Sequence, residues 1–267
     1  MPEGHTLHRL ARRHTRLLGG RRVTVTSPQG RFADGAAAVD GMTFGRADAW
    51  GKHLVHRYRA GRREQLIHIH LGLYGAFTEA PVPMDDPVGQ VRLRIESDEI
   101  GIDLRGPTAC ELYGPADLEA LVARLGPDPL RRDAKPEDAW TAIRSSRRPI
   151  GALLMDQKVV AGVGNVYRAE VLFRAGIDPM RPGTIITRAE FDGLWADLVD
   201  LMRIGVRRGR IHVMRPDDDH GAPSYAPDRP RTYVYRRAGE ACRICGTPVL
   251  IAELEARKLY WCPVCQT

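Results

Sequence analysis

Four cysteines, set as Cys242-x2-Cys245 and Cys262-x2-Cys265 with 16 residues between the pairs, constrain this chain of 267 residues more than any other feature. Two CxxC pairs at that spacing suit one tetrahedral site of four thiolates, and in a chain kept in a reducing compartment they read as metal ligands rather than disulfides. The segment they enclose is too short to bury a core, so the metal must hold it together. With sulfur in all four positions no place is left for an activated water, and the expected zinc, one per chain, is structural. Arg257 and Lys258 lie between the pairs, where a hairpin tip would present them to phosphate. The fifth cysteine, Cys110, stands alone and reads as a small core residue, since nothing around it would lower its pKa.

The charge balance asks for a polyanionic partner. Lys and Arg number 40 against 33 acids, for a formal +7, and arginine, the commoner base, grips phosphate in a bidentate way. Four thiolates around one Zn2+ subtract only two charges. No apolar run is long enough to cross a bilayer, and no signal-peptide core opens the sequence, so the expected location is the cytoplasm, at the nucleoid.

Patterning divides the chain. A helical stretch over 6–18 places Leu7, Leu10, Ala11 and Leu17 on one face. Alternation then takes over at 23–26, at Leu66-Ile-His-Ile-His-Leu71 and at 91–95, the signature of half-buried antiparallel strands. His68 and His70 read as a polar strand face, with no third ligand nearby for a metal. After Leu125-Gly-Pro-Asp-Pro-Leu130 the pattern becomes helical, over 137–145, 150–157, 166–175 and 188–206. The fold class is therefore α+β: an antiparallel β-sandwich with a flanking helix (1–128), a helical domain (129–237) and a four-cysteine zinc finger (238–267). The stretch 216–230 is polar and turn-rich, a long loop of the kind that carries function.

Gly162 and Gly164 precede Asn165, which is placed to cap the next helix. Such a turn lets backbone N–H groups approach an anion at a helix N-terminus. Alone it is a weak signal. The surrounding run, Leu154-Met-Asp-Gln-Lys-Val-Val-Ala-Gly-Val-Gly-Asn-Val-Tyr-Arg-Ala-Glu-Val-Leu-Phe173, resembles the helix-two-turn-helix of the formamidopyrimidine-DNA glycosylase and endonuclease VIII family. Three more blocks resemble the same family, in family order: Met1-Pro-Glu-Gly4, Leu125-Gly-Pro-Asp-Pro-Leu130, and the cysteine blocks from Val234 to Pro248 and from Tyr260 to Gln266.

The resemblance implies a bifunctional DNA glycosylase and abasic-site lyase whose partner is damaged DNA, most simply duplex, bound in a cleft between the two main domains; nothing in the sequence suggests an assembly larger than a monomer. It implies that Pro2, once Met1 is removed, attacks the sugar as a secondary amine. An α-amine has an unperturbed pKa of about 7.7–8.0, so a usable fraction is unprotonated at neutral pH. Schiff-base formation would be followed by β,δ-elimination. Glu3 matches the family's acid, Lys52 its hairpin lysine, and Asn165 and Arg257 its phosphate ligands, with Gly162 and Gly164 of the glycine turn counted among the DNA-binding residues. Leu73 and Tyr74 resemble the wedge of endonuclease VIII that fills the space of an extruded base, which leans the reading toward oxidised pyrimidines. The alternatives are an 8-oxoguanine or formamidopyrimidine-directed glycosylase and a catalytically silent damage-binding protein. Thr6 departs from the pattern, standing where many members carry a second glutamate. Arg105 only loosely matches the loop that supplies an arginine wedge in the purine-directed enzymes. A Gly-x-Pro-Ser-Tyr pattern in 216–230 is like the segment that closes over an oxidised purine.

Overall fold

Period-two alternation in the first half of the chain is realised as eight antiparallel strands. A computed structural model describes residues 2–219 and 231–267 and divides the chain into two units, Met1–Arg124 and Leu125–Thr267.

The first unit opens with α1 (Gly4–Leu18). Leu7, Ala11, His14 and Leu18 recur at helical spacing and form its buried stripe, while Leu10 and Leu17 pack at the margin. The expected face is thus rotated slightly, with an imidazole inside it. Next come β1 (Thr24–Thr26), α2 (Ala33–Val39), β2 (Thr43–Trp50), β3 (His53–Ala60), β4 (Arg63–His70), β5 (Ala76–Pro81), β6 (Val91–Glu96), β7 (Ile100–Arg105), β8 (Ala109–Tyr113) and α3 (Pro115–Ala123). They form two four-stranded sheets, in orders β1-β6-β7-β5 and β2-β3-β4-β8. Val25, Leu93, Ile95, Ile102 and Leu104 of one sheet share a core with Leu54, Tyr58, Ile67 and Ile69 of the other, which makes a sandwich. Burying so many apolar side chains at about 1.5–3 kcal/mol each gives this unit a core that needs no metal. The short helices α2 and α3 are not foreshadowed by the sequence: α2 has only seven residues, and the apolar residues of α3 run round it without the distinct face that the equally long helix over Pro136–Arg144 presents.

The second unit is helical, with α4 (Pro136–Arg144), α5 (Ile150–Leu153), α6 (Asn165–Arg174) and α7 (Arg188–Arg208), and ends in a hairpin of β9 (Leu250–Leu254) and β10 (Arg257–Trp261). Helix α7 is long because both ends are capped. Thr187 and Glu190 close a capping box at its start, and Gly209 ends it in the left-handed region. The helix expected over 150–157 stops after one turn. Beyond it Asp156 turns the chain, accepting from Lys158 N at 3.0 Å and pairing with Arg148 at 2.8 Å. Tyr167, Leu172, Phe191 and Leu198 share one buried cluster with Cys242, Val249, Tyr260 and Cys262, so the cysteine hairpin also draws on the helical core.

Candidate active site and nucleic-acid interface

Three segments of the first unit reach the same end of the β2-β3-β4 sheet. Helix α1 runs antiparallel to β2: Thr15 Oγ1 accepts from Ala47 N at 2.9 Å, and one turn on Gly20 N donates to Phe44 O at 2.8 Å. From that crossing the helix returns to Glu3 over about 18 Å, while β2 runs on to Lys52 over about 17 Å, at the usual rises per residue. Glu3 and Lys52 therefore lie toward the same end of the sheet. His53 of β3 is the register partner of His70 of β4, so the turn after β4, with Leu73 and Tyr74, lies at that end too.

Each of these groups is held in a way that suits chemistry. Glu3 is the N-cap residue of α1 and is fully buried, a carboxyl set at the positive end of a helix. Pro2 beside it is partly exposed. Thr6, the departure from the resembled pattern, sits 3.3 Å from His5 Nε2 through its hydroxyl. Lys52 occupies the turn between β2 and β3, partly exposed, and its charge adds to the burial that depresses the pKa of His53 and His70. Leu73 is 51% and Tyr74 86% exposed, so neither is a core residue. The turn that lifts them requires glycine at 72: its φ is +65°, and a Cβ there would fall 1.9 Å from Thr108 Oγ1.

The histidine face is less polar than its alternation suggests. His68 is buried, with Nε2 2.9 Å from His53 Nδ1 and Nδ1 3.4 Å from Glu111 Oε2, and it stacks on Tyr113. The face is covered because His53, Glu111 and Tyr113 pack side by side on it; sequence alternation cannot show what lies across a strand. Cys110 is buried as expected, its thiol pushed up to about 12 by burial. Arg105 ends β7 and is occupied: it donates to Asp103 Oδ2 at 2.9 Å and Thr78 Oγ1 at 2.8 Å. It does not stand in a free loop, because Asp103 already anchors Arg94 and draws Arg105 to the same carboxylate.

In the second unit, the sequence placed Asn165 one position out. Gly164 is the N-cap and Asn165 the first helical residue. Asn165 Nδ2 donates to Lys258 O at 2.9 Å, and Arg168 donates to Asn165 Oδ1 and, at 3.0 Å, to Lys258 O. Asn165 at the start of α6 and the hairpin that carries Arg257 are thereby fastened together. Gly162 needs its φ of +90°, and its N–H donates to Gln157 Oε1 at 2.9 Å, so it shapes the turn rather than meeting an anion. Gly164 is buried beside it. Arg257 is exposed and, among the described residues, in no ion pair.

The four sulfurs of Cys242, Cys245, Cys262 and Cys265 all lie within 4.8 Å of one another, with Cys242 to Cys265 at 3.8 Å and Cys245 to Cys262 at 3.4 Å. A tetrahedron with metal–sulfur bonds of about 2.3 Å has edges of about 3.8 Å, so this donor set fits one metal ion.

Two structural residues escaped sequence reasoning. Glu170, fully buried, accepts from Tyr233 N at 2.7 Å, Val234 N at 3.0 Å and Tyr235 N at 2.7 Å, fixing the chain before the first cysteine pair. Gln266 accepts from Cys262 N at 2.9 Å and donates to Ile177 O at 3.0 Å. The signal for Glu170 was present: Arg168 and Glu170 interrupt an otherwise apolar helix. Of the 216–230 stretch, Pro216–Asp218 is a short 3-10 turn, and 220–230, with its Gly-x-Pro-Ser-Tyr pattern, lies outside the described residues. Among the described residues no helix is long and apolar enough to cross a membrane.

Comparison with known proteins covers both units. Residues 1–108 match the formamidopyrimidine-DNA glycosylase N-terminal domain and residues 125–216 its H2TH domain. The chain is 62% identical over 271 residues to endonuclease 8 1 of Mycobacterium tuberculosis, with 100% of both chains covered. It is 31% identical to a formamidopyrimidine-DNA glycosylase of Parasynechococcus marenigrum, covering 100% of this chain and 99% of the other. Among solved structures it is similar to the MutM (Fpg) protein of Thermus thermophilus, at 29% identity and a TM-score of 0.77, with 99% and 98% of the two chains covered. A complex of Lactococcus lactis Fpg with DNA containing an abasic site matches at a TM-score of 0.81 over 99% of both chains; at 18% identity that likeness is one of fold.

Proposed function

The chain belongs to the formamidopyrimidine-DNA glycosylase and endonuclease 8 family, and from that premise we propose that it excises oxidised bases, chiefly pyrimidines, from duplex DNA and then cuts the strand. The observation that carries the reading is the arrival of Glu3 and Lys52 at one end of the sheet, with Pro2 preceding Glu3 and two exposed apolar residues on the neighbouring turn.

The lone pair of the Pro2 amine, freed by loss of Met1, attacks C1′ of the damaged nucleotide. The C1′–N bond breaks and its electrons leave with the base, which takes up the proton that the Pro2 nitrogen sheds. Glu3 delivers a proton to the sugar ring oxygen, the ring opens, and the bond to Pro2 becomes an iminium. The iminium acidifies C2′; loss of that proton expels the 3′ phosphate, and a second elimination expels the 5′ phosphate. Lys52, as a cation on a rigid turn, binds a phosphate beside the lesion and favours departure of the base. Leu73 and Tyr74 enter the stack where the base has left. Asn165 and Arg257 hold flanking phosphates. Zinc, when bound by the four cysteines, supplies a structural crosslink and takes no part in the chemistry.

Release of thymine glycol and of 8-oxoguanine from matched duplexes tests the substrate assignment. The expected result is faster release of thymine glycol; a preference for 8-oxoguanine transfers the assignment to oxidised purines. Binding without release of either identifies a silent damage-binding protein.

A further inference from the structure

The turn between β9 and β10 is built from unfavourable residues. Its two central positions, Glu255 and Ala256, have φ of +49° and +57°, both left-handed. Two-residue hairpins of this kind favour Asn-Gly, because a Cβ is crowded in that region. Neither residue here relieves the crowding, and the residue that follows is Arg257. Something outside the turn must hold it.

Arg148 is that external hold. It donates to Glu255 Oε1 at 2.7 Å and to Asp156 Oδ2 at 2.8 Å, joining the hairpin tip to the segment after α5. Both carboxylates raise its pKa, side-chain hydrogen bonds being the largest cause. Beneath this bridge Leu254 packs close to Gly151, where a Cβ would lie 3.3 Å from its Cδ2. The far side of the hairpin is fastened through Lys258 O to Asn165 and Arg168. Arg257 therefore stands between two anchors, one at Lys258 and one at Glu255.

We infer that the Arg148–Glu255 ion pair is a positioning device that holds a strained hairpin turn so that Arg257 is preset for a DNA phosphate. This rests on the reading of Arg257 as a phosphate ligand. It makes an unusual demand: an acidic residue beside the DNA-binding arginine should strengthen binding. Simple electrostatics requires the reverse, since removing a negative charge near a polyanion tightens the complex.

The test is the affinity of metal-loaded full-length protein for a duplex carrying a non-cleavable abasic analogue, by fluorescence anisotropy at fixed salt. Glu255→Gln is expected to weaken binding about two- to fivefold, the range set by an exposed ion pair. Glu255→Asn with Ala256→Gly, which replaces the tether by a turn that forms unaided, is expected to restore binding to wild type or better. In an Arg148→Ala background Glu255→Gln has no tether left to cut and should tighten binding. Tighter or unchanged binding by Glu255→Gln alone, or a double variant as weak as Glu255→Gln, overturns the inference. Arg257→Ala separates the two readings. If it weakens binding while Glu255→Gln does not, the phosphate ligand stands and the tether falls; if it leaves affinity unchanged, the phosphate reading fails and the inference falls with it.

Discussion

The two units differ in the polar groups they bury. In Met1–Arg124 the buried polar groups are chiefly imidazoles, beside one buried Arg94–Asp103 pair: His14 Nδ1 lies 2.9 Å from His56 Nε2 in the core, and His53, His68 and His70 crowd the outer face of the same sheet. Burial pushes His5 and His14 down to about 4 and His53 to about 3, so these rings stay neutral at working pH. In Leu125–Thr267 no histidine is buried among the described residues; the interior holds the fully buried Arg168, Glu170 on three backbone N–H groups, and the four-cysteine cluster. On the proposed reading, the first unit carries the reactive end on a frame whose buried polar groups are mostly neutral imidazoles. On the same reading the second unit grips DNA, through a hairpin that a metal on the four cysteines would crosslink. Chemistry, metal and acid should therefore each strike one unit and spare the other.

The largest effect expected is chemical. Glu3→Gln should slow base release on the order of 10²–10⁴-fold, the usual worth of a positioned acid, while DNA affinity changes little. Arg257→Ala should do the converse, weakening binding about tenfold across sequences and flattening the salt dependence by about one ion. Rates at saturating DNA together with salt-titrated affinities measure both. Equal damage to rate and affinity by Glu3→Gln would dissolve the division of labour.

Metal removal comes next. Chelation, or Cys262→Ser, should abolish amide protection in β9 and β10 and lower DNA affinity at least about tenfold, because the hairpin depends on the metal for its fold. Protection in β2, β3 and β4 should persist. Hydrogen exchange read by mass spectrometry distinguishes this from a global collapse, which would show the first unit to depend on metal.

Acid should reverse the pattern. A histidine whose folded pKa lies below its unfolded value leaves the unfolded chain holding more protons between the two, so stability is full above about pH 6.5 and falls as pH drops toward about 4. At pH 5 each of His5 and His14 then costs about 2 kcal/mol, taking about 6.5 as the unfolded value. Hydrogen exchange at pH 7 and pH 5, corrected for the intrinsic rate, should show β3 and β4 loosening before α6 and α7. The opposite order would mean that the buried imidazoles are not what acid attacks.

The smallest change in stability pairs with a functional loss. Tyr74→Ala and Leu73→Ala should alter stability by no more than about 0.5 kcal/mol, since both side chains are exposed, yet slow release of a paired damaged base about tenfold. Leu71→Ala, two residues away and buried, should cost about 2–5 kcal/mol. Thermal melts beside single-turnover excision check both. Normal excision by Tyr74→Ala would remove it from the wedge.

What the sequence shows and hides follows from where information is stored. The metal cluster is legible because side-chain identity and spacing carry it, and the sandwich because alternation survives in β4 and β6. The polar centres are not, because their meaning depends on a partner distant in sequence. His68 takes its character from His53 and Glu111, and Asn165 from Lys258, whose carbonyl no motif marks. The β9–β10 turn is hidden for a different reason: Glu255 and Ala256 lack the Asn-Gly signature, and the geometry is supplied from outside by Arg148.

The central claim is that Pro2 is the nucleophile, and borohydride reduction of the protein on a duplex with an abasic site tests it most directly. Peptide mapping of the trapped complex should place the sugar adduct on the N-terminal peptide at Pro2, and protein that retains Met1 should give none. An adduct on Lys52, or undiminished trapping with Met1 in place, would contradict the account.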